Sequence, residues 1–187
     1  MNLILFGPPG AGKGTQAKYL VNKLNAYQIS TGDMLRDEIK NDSDIGKKII
    51  KDMNDGKFVN DEIVNKLIAN AIFDPLKKNS LIFDGYPRSI NQAKNLNSLL
   101  EDSKQKIDFI FFLNVNKETI IKRIEKRKIL EKREDDDLKT ILRRYDIYME
   151  TTRPVLDFYS SNSNFYDIDG SLEINEITEK IEAFLNV

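Results

Sequence analysis

The sequence predicts an α/β protein whose parallel sheet is covered by helices on both faces. Three observations carry that prediction. Short apolar runs alternate with amphipathic stripes along the chain; a glycine-rich loop joins the first run to the first stripe; and a later run, Ser80 to Phe83, ends on Asp84 ahead of Gly85-Tyr86-Pro87-Arg88. Apolar runs too short for helices suit strands buried on both faces, and parallel neighbours need crossovers, which the helical segments supply. A chain of 187 residues suits one principal domain with room for small flaps.

Leu3 to Phe6 reads as the first strand, stopped by Gly7. Gly10, Gly12 and Gly14 let the following backbone approach a ligand closely, so that successive N–H groups face one anion, while Pro8 and Pro9 stiffen the turn. From Lys13 onward, Ala17, Leu20, Val21 and Leu24 recur at helical spacing. The loop therefore ends at a helix N-terminus, whose dipole also favours negative charge, and Lys13 adds a full positive one. Gly7, Gly12 and Lys13 satisfy G-x4-G-K, but Gly14 follows the lysine where the general P-loop rule has a hydroxyl, and Thr15 comes one residue later. Alone, the loop implies a nucleoside triphosphate and no particular chemistry.

Tyr27 to Ser30 is a short strand, and Ser30 or Thr31 is placed to cap a helix carrying Leu35 and Ile39. Residues 37 to 73 read as polar helices broken near Asn41 to Asp44 and at Asn54-Asp55-Gly56, a small flap whose poverty in large apolar residues suits an element that moves. Asp84 then stands at the carboxyl end of a strand, the end that faces the ligand crevice in a parallel sheet. It is placed to hold Mg²⁺ directly or through water, and Arg88 to meet a phosphate. A helix through Gln92, Ala93, Leu96, Leu99 and Leu100 follows, then the most hydrophobic strand, Ile107 to Val115, and a helix from Lys117 to Arg127. Asn116-Lys117-Glu118-Thr119 resembles the guanine-reading N-K-x-D of GTPases but lacks the acid, and is read as a strand-to-helix junction. Between Lys122 and Arg144 the chain is dense in charge of both signs, the pattern of a solvated helix face. Its arginines are also residues that grip phosphate bidentately. Leu138, Ile141, Leu142, Tyr145 and Met149 start one amphipathic helix running past Arg153-Pro154 to about Tyr159. Phe165 to Ile168 is the last strand, Asp169-Gly170 a turn, and Ile174, Ile177, Ile181 and Leu185 the stripe of a terminal helix.

Composition narrows the chemistry. Lys plus Arg number 29 against 30 for Asp plus Glu, so no basic excess points to nucleic acid or to a membrane surface. No apolar run approaches the ~20 residues of a membrane span. The first strand begins almost at Met1, which leaves no room for an export signal, and the expected location is cytoplasmic. With neither Cys nor His, thiol nucleophiles, cysteine zinc sites and the commonest general base are excluded, so a reaction needing none of them is preferred.

Taken together, GPPGAGKGTQA, STGDMLR, GKFVND, FDGYPR followed by Gln92, and the spaced Arg123, Arg127, Arg133 and Arg144 resemble the adenylate kinase family in order and over essentially the whole chain. The family also has Gly after the P-loop lysine, so Gly14 supports this resemblance over a GTPase. It implies a P-loop nucleotide kinase with a five-stranded parallel core (1–29, 60–126 and 137–187), an acceptor flap at 30–59 and a short lid at 127–136. Many bacterial relatives carry a longer lid, sometimes with four zinc-binding cysteines; the five residues between Arg127 and Arg133 match the short form without zinc. The implied reaction is MgATP + AMP ⇌ 2 ADP, maintaining adenine nucleotide balance, by a monomer.

The resemblance also assigns residues. Gly10, Ala11, Gly12, Lys13, Gly14 and Thr15 would cradle the ATP phosphates, with Arg123 and Leu172 against its adenine and Arg127 on the phosphates. Asp84 would hold Mg²⁺ through its waters. Lys13, Arg88, Arg127, Arg133 and Arg144 would surround the migrating phosphoryl group. Arg36 and Arg88 would grip the AMP phosphate, with Arg133 and Arg144 nearby; Thr31 and Gln92 would read its adenine; Lys57, Phe58 and Val59, with Gly85, Tyr86 and Pro87, would line its pocket. Asn60 stands where many relatives have Pro, which would loosen the flap, and Asp135 and Asp136 either orient lid arginines or cap a helix. The rivals are a UMP/CMP kinase of the same fold, disfavoured because pyrimidine-specific relatives generally have Ala at the position of Thr31, and a nucleotide-binding regulator without transferase activity, disfavoured because it has no use for the separated arginines. Nucleic-acid binding by the arginine-rich stretch is a weaker third.

Overall fold

The computed structural model describes residues 1–74, 80–131 and 138–186, with the backbone alone from 127 to 131. Five strands form its sheet: β1 (Asn2–Phe6), β2 (Tyr27–Ser30), β3 (Leu81–Asp84), β4 (Phe109–Asn114) and β5 (Phe165–Asp169). They are parallel and lie in the order β2-β3-β1-β4-β5. The intervening helices are α1 (Lys13–Leu24), α2 (Thr31–Lys40), α3 (Asp44–Asn54), α4 (Asp61–Ile72), α5 (Ile90–Asp102), α6 (Lys117–Glu131), α7 (Leu138–Ile147), α8 (Arg153–Ser160) and α9 (Ile174–Leu185), with a π-helical segment, Tyr148–Thr152, between α7 and α8. Among the described residues, no helix is long and apolar enough to cross a membrane.

The continuous apolar runs are spent on two cores. Ile4, Phe6, Ile29, Leu81, Phe83 and Ile110 face a cluster completed by α2 to α5 and α8. Leu3, Leu5, Ile82, Phe111, Leu113 and Ile168 face the opposite cluster, completed by α1, α6, Ile141 of α7 and α9. Adjacent residues thus serve different cores, as the two-residue period of a strand requires, and each fully buried Leu, Ile or Phe contributes ~1.5–3 kcal/mol relative to exposure. β1 is central, with β3 on one side and β4 on the other. The chain runs from β1 to the edge strand β2, returns to β3 beside β1, then crosses to β4 and β5 on the other side. The direction therefore changes at β1, and the crevice for a ligand lies at the carboxyl ends of β1 and its neighbours.

Some elements differ from those the sequence predicts. The helix expected from Leu138 to Tyr159 is interrupted by the π-helical segment, which runs directly into α8 with Pro154 at its second position. Its inward stripe runs through Ile141, Tyr148 and Thr152, whereas Leu138 and Met149 are exposed. Four large apolar residues of the segment 30–59, Leu35, Ile49, Met53 and Val59, are buried in the first core, whereas Ile50 is exposed. Asn60 caps α4 by accepting the Glu62 N–H at 2.7 Å. Asn116 likewise caps α6, accepting from the Thr119 N–H at 2.9 Å, so the N-K-x-T stretch is a junction, as read.

Candidate active site

A cleft of about 720 Å³ opens at the carboxyl ends of β1 and β3. Its floor is the loop after β1. Gly10 and Gly12 hold φ of 81° and 95°, and Gly12 begins α1 without any side-chain cap; the first turn of α1 carries no acid. That leaves an electropositive helix terminus facing the cleft through Gly12, Lys13, Gly14 and Thr15. The Lys13 ammonium donates to the carbonyls of Gly7 (2.7 Å) and Pro8 (3.0 Å), so the loop itself holds the charge at its rim.

A Cβ on Gly14 would lie 3.5 Å from Asp84 Oδ2, an ordinary contact distance, so the loop and the end of β3 touch here. Burial pushes the Asp84 carboxyl above its usual range, opposed by the charge of Lys13, the amide of Gln28 and the charge of Arg88. Gln28 Nε2 donates to Asp84 Oδ2 at 3.0 Å from the neighbouring strand. This residue was not singled out from sequence. The available signal was a polar side chain two residues before Ser30, on the strand face that Asp84 also occupies once Ser30 pairs with Asp84.

The stretch after β3 builds the other wall. Gly85, at φ 75°, turns its carbonyl toward Thr31 Oγ1 (2.8 Å) and Arg88 Nε (2.6 Å), while Arg88 Nη2 reaches Thr31 Oγ1 at 3.4 Å. The Arg88 guanidinium lies 5.2 Å from the centre of the Phe58 ring. Burial, and then the neighbouring charge of Arg144, lower its pKa to about 10, which leaves it cationic at neutral pH. Thr152 of the π-helical segment donates to the Arg88 carbonyl at 3.1 Å, a support the sequence reading did not include. Arg36 pairs with Asp33 one helical turn away. Arg144 donates to the Met53 carbonyl at 3.4 Å, linking α7 to the end of α3.

On the loop's far side Arg123 holds the β5–α9 connection. Its Nη1 donates to Gly170 O (2.6 Å) and Ala11 O (3.4 Å), and its Nη2 to Ser171 O (3.4 Å) and Leu172 O (3.1 Å). One planar group thus fixes α6, the phosphate loop and the turn before α9 together.

The cleft therefore collects most of the expected site: the loop residues Gly10 to Thr15, then Arg36, Lys57 and Phe58 from one wall, Asp84, Gly85, Pro87 and Arg88 from another, and Arg123, Arg144 and Leu172. Thr31, Val59, Tyr86 and Gln92 are buried and do not line it. The Tyr86 hydroxyl bonds Asn65, Asn95 and the Gln92 carbonyl, and its burial drives its pKa to about 12. Arg127 belongs to α6 by its backbone, and its side chain, like Arg133, Asp135 and Asp136, lies outside the described residues. The same holds for most of the expected lid. Among the described residues no group of three or more acids could hold a metal ion by itself.

A doubly wound parallel sheet, a glycine-rich loop feeding an uncapped helix, and arginines converging on the space above it define a P-loop nucleotide kinase. The comparisons are specific beyond that class: the family model described as adenylate kinase matches residues 5–164. An adenylate kinase of Pelagibacter ubique is 47% identical over 213 aligned positions, covering 100% of both chains. One from Hyphomonas neptunium is 42% identical over 185 positions (99% of this chain, 98% of the relative), and one from Mycoplasma capricolum 38% over 215 positions (100% of both). The chain belongs to the adenylate kinase family. The Pelagibacter and Mycoplasma alignments are longer than this chain of 187 residues, so those relatives carry insertions that it lacks, whereas the Hyphomonas alignment fits its length.

Proposed function

We propose that this protein catalyses the reversible transfer of the terminal phosphoryl group of MgATP to AMP, giving two ADP. The observation that carries the reading is the convergence of the uncapped α1 terminus with Lys13, on one side, and Arg36, Arg88 and Arg144, on the other, around one cleft. A single nucleotide would not need cations on both sides; a donor and an acceptor phosphate meeting between them would. Because the attacking AMP oxygen is already anionic near neutral pH, the reaction needs alignment and charge neutralisation rather than a strong base, which suits a chain without His.

In this account the amides from Gly10 to Thr15 bind the ATP phosphates, and Lys13 exchanges the Gly7 and Pro8 carbonyls for the β- and γ-phosphate oxygens. Arg123 and Leu172 flank the ATP base. Arg36 and Arg88 hold the AMP phosphate, with Lys57, Phe58 and Val59 along its pocket; the buried Thr31, Tyr86 and Gln92 shape the far end, where Thr31 and Gln92 read adenine. Arg127, Arg133 and Arg144 neutralise charge on the moving phosphoryl group. Adenylate kinases use Mg²⁺ with ATP, and the residues fit: Asp84 supplies a hard oxygen at the loop's edge, oriented by Gln28. When bound beside Asp84, the ion would neutralise negative charge on the phosphates.

Segments 30–59 and 127–136 would act as acceptor flap and lid, the latter in the short form without zinc, as the absence of Cys and the alignment lengths support. Closure of both excludes water and completes the site, for which the lid of this family is the familiar example. The reading extends to a cytoplasmic monomer acting on ATP, AMP and ADP, with neither nucleic acid nor membrane as partner; the even charge balance supports the last part. Arg88→Ala tests the assignment. Turnover should fall by about a hundredfold or more while the affinity for ATP changes less than about threefold, since Arg88 serves acceptor and transition state. Unaltered turnover would remove Arg88 from the site.

A further inference from the structure

Gln92 is expected to read the acceptor base, yet an amide side chain is ambiguous: turned by 180° it exchanges donor for acceptor and would favour a different base. The surroundings of Gln92 remove that ambiguity. Its Oε1 accepts the backbone N–H of Arg88 at 2.7 Å, and its Nε2 donates to Asp61 Oδ1 at 2.6 Å. A backbone N–H can only donate and an ionised carboxylate can only accept, so both neighbours demand the same orientation. The second carboxylate oxygen of Asp61 accepts the Ser89 hydroxyl at 3.0 Å, and Ser89 Oγ in turn accepts the Gln92 N–H at 3.1 Å as the N-cap of α5. Gln92 is buried, 3% exposed, so these bonds do not compete with bulk water.

Resting on the reading that Gln92 contacts the acceptor base, we infer that Asp61 is a specificity-positioning residue: it holds the Gln92 amide with its remaining N–H available to a base acceptor and the remaining lone pair of Oε1 available to a base donor. That polarity matches the edge of adenine, an acceptor at N1 beside an amino donor at N6. It opposes the edge of hypoxanthine or guanine, with a donor at N1 and an acceptor at O6. Asp61 opens α4 directly after the acceptor segment 30–59, while Ser89 and Gln92 belong to the start of α5. One side chain from the end of that segment therefore sets the reading direction of a group on the core.

The test measures ITC affinities for AMP and steady-state rates with AMP and IMP on four proteins: Asp61→Ala, Asp61→Asn, Gln92→Ala and the double variant, with thermal unfolding to confirm folding. The expected result is a rise of about tenfold in KM and Kd for AMP in Asp61→Ala, with kcat and the KM for MgATP within about twofold of the parent. The preference for AMP over IMP should shrink by about tenfold or more, because a misoriented amide no longer leaves the wrong base facing a mismatched edge. Asp61→Asn, which keeps a carbonyl for Gln92 Nε2, should recover most of the loss, a result a purely electrostatic role in α4 would not give. In the Gln92→Ala background the Asp61→Ala change should add less than about twofold. An undiminished effect of Asp61→Ala in that background, or a loss falling on MgATP, would overturn the inference while leaving Gln92 as base reader. No change in AMP affinity on Gln92→Ala would overturn both.

Discussion

Replacing Gly85 by Ala separates what the turn after β3 does for stability from what it does for the acceptor site. Gly85 sits at φ 75°, a left-handed conformation that costs an L-residue ~1–2 kcal/mol. For a domain of this length that strain lowers Tm by about 2–8 °C. The added Cβ would also lie 2.9 Å from Arg88 Nη2 and 3.1 Å from Thr31 Oγ1, so one of them must move. The guanidinium is the far end of a long side chain and its displacement adds little to the stability loss. Its catalytic consequence is larger, because misplacing a positioning group by ~1 Å costs about a hundredfold. The expected outcome is a modest fall in Tm with a loss of about ten- to a hundredfold in kcat/KM for AMP, measured by coupled ADP production at saturating MgATP. ATP affinity by calorimetry should be nearly unchanged. A variant with the lowered Tm but parental kcat/KM would refute the idea that the Gly85 turn sets the position of Arg88.

Arg123→Ala removes four hydrogen bonds to the carbonyls of Ala11, Gly170, Ser171 and Leu172. It should destabilise the fold by about 1–3 kcal/mol in urea unfolding and raise the KM for ATP more than that for AMP, and Arg123→Lys should not rescue either effect. Gly46→Ala would drive a Cβ into the backbone of α2, against the Glu38 carbonyl and to within 2.9 Å of Ile39 Cα. The α2–α3 contact must open, so the KM for AMP should rise with that for ATP unaltered. Tyr86 has its folded pKa raised from 10 to about 12, so it contributes stability that is fully present below about pH 10 and is lost as pH rises through 12. Chemical unfolding between pH 9 and 12 should therefore show a smaller pH slope for Tyr86→Phe than for the parent protein.

The sheet was legible because its strands are uninterrupted apolar runs of the right length, and the observed β1, β2, β3 and β5 begin or end within a residue of the runs that mark them. β4 was read too long: Ile107 and Val115 are apolar, but the strand is Phe109–Asn114, and the Asp108 N–H, bonded to the Asn2 carbonyl of β1, extends its contact with the neighbouring strand. The phosphate loop and Asp84 were legible for the same local reason, since each lies within a few residues of the strand that aims it. What was not legible depends on contacts between distant residues. Gln28 looks like any strand residue until β2 is laid beside β3, and Asp61 like any helix-opening acid until α4 meets α5. The π-helical segment has no sequence mark of its own, because Tyr148 and Thr152 keep the helical spacing of an ordinary stripe. The buried Tyr148 hydroxyl is without a hydrogen-bond partner among the described residues.

If this cleft joins a triphosphate donor to an adenine monophosphate acceptor, acceptor preference shows it most directly: MgATP is supplied with AMP, CMP, UMP or GMP in turn and ADP formation is measured. The kcat/KM for AMP should exceed that for each of the others by more than about tenfold. A preference of that size for CMP or UMP would contradict it.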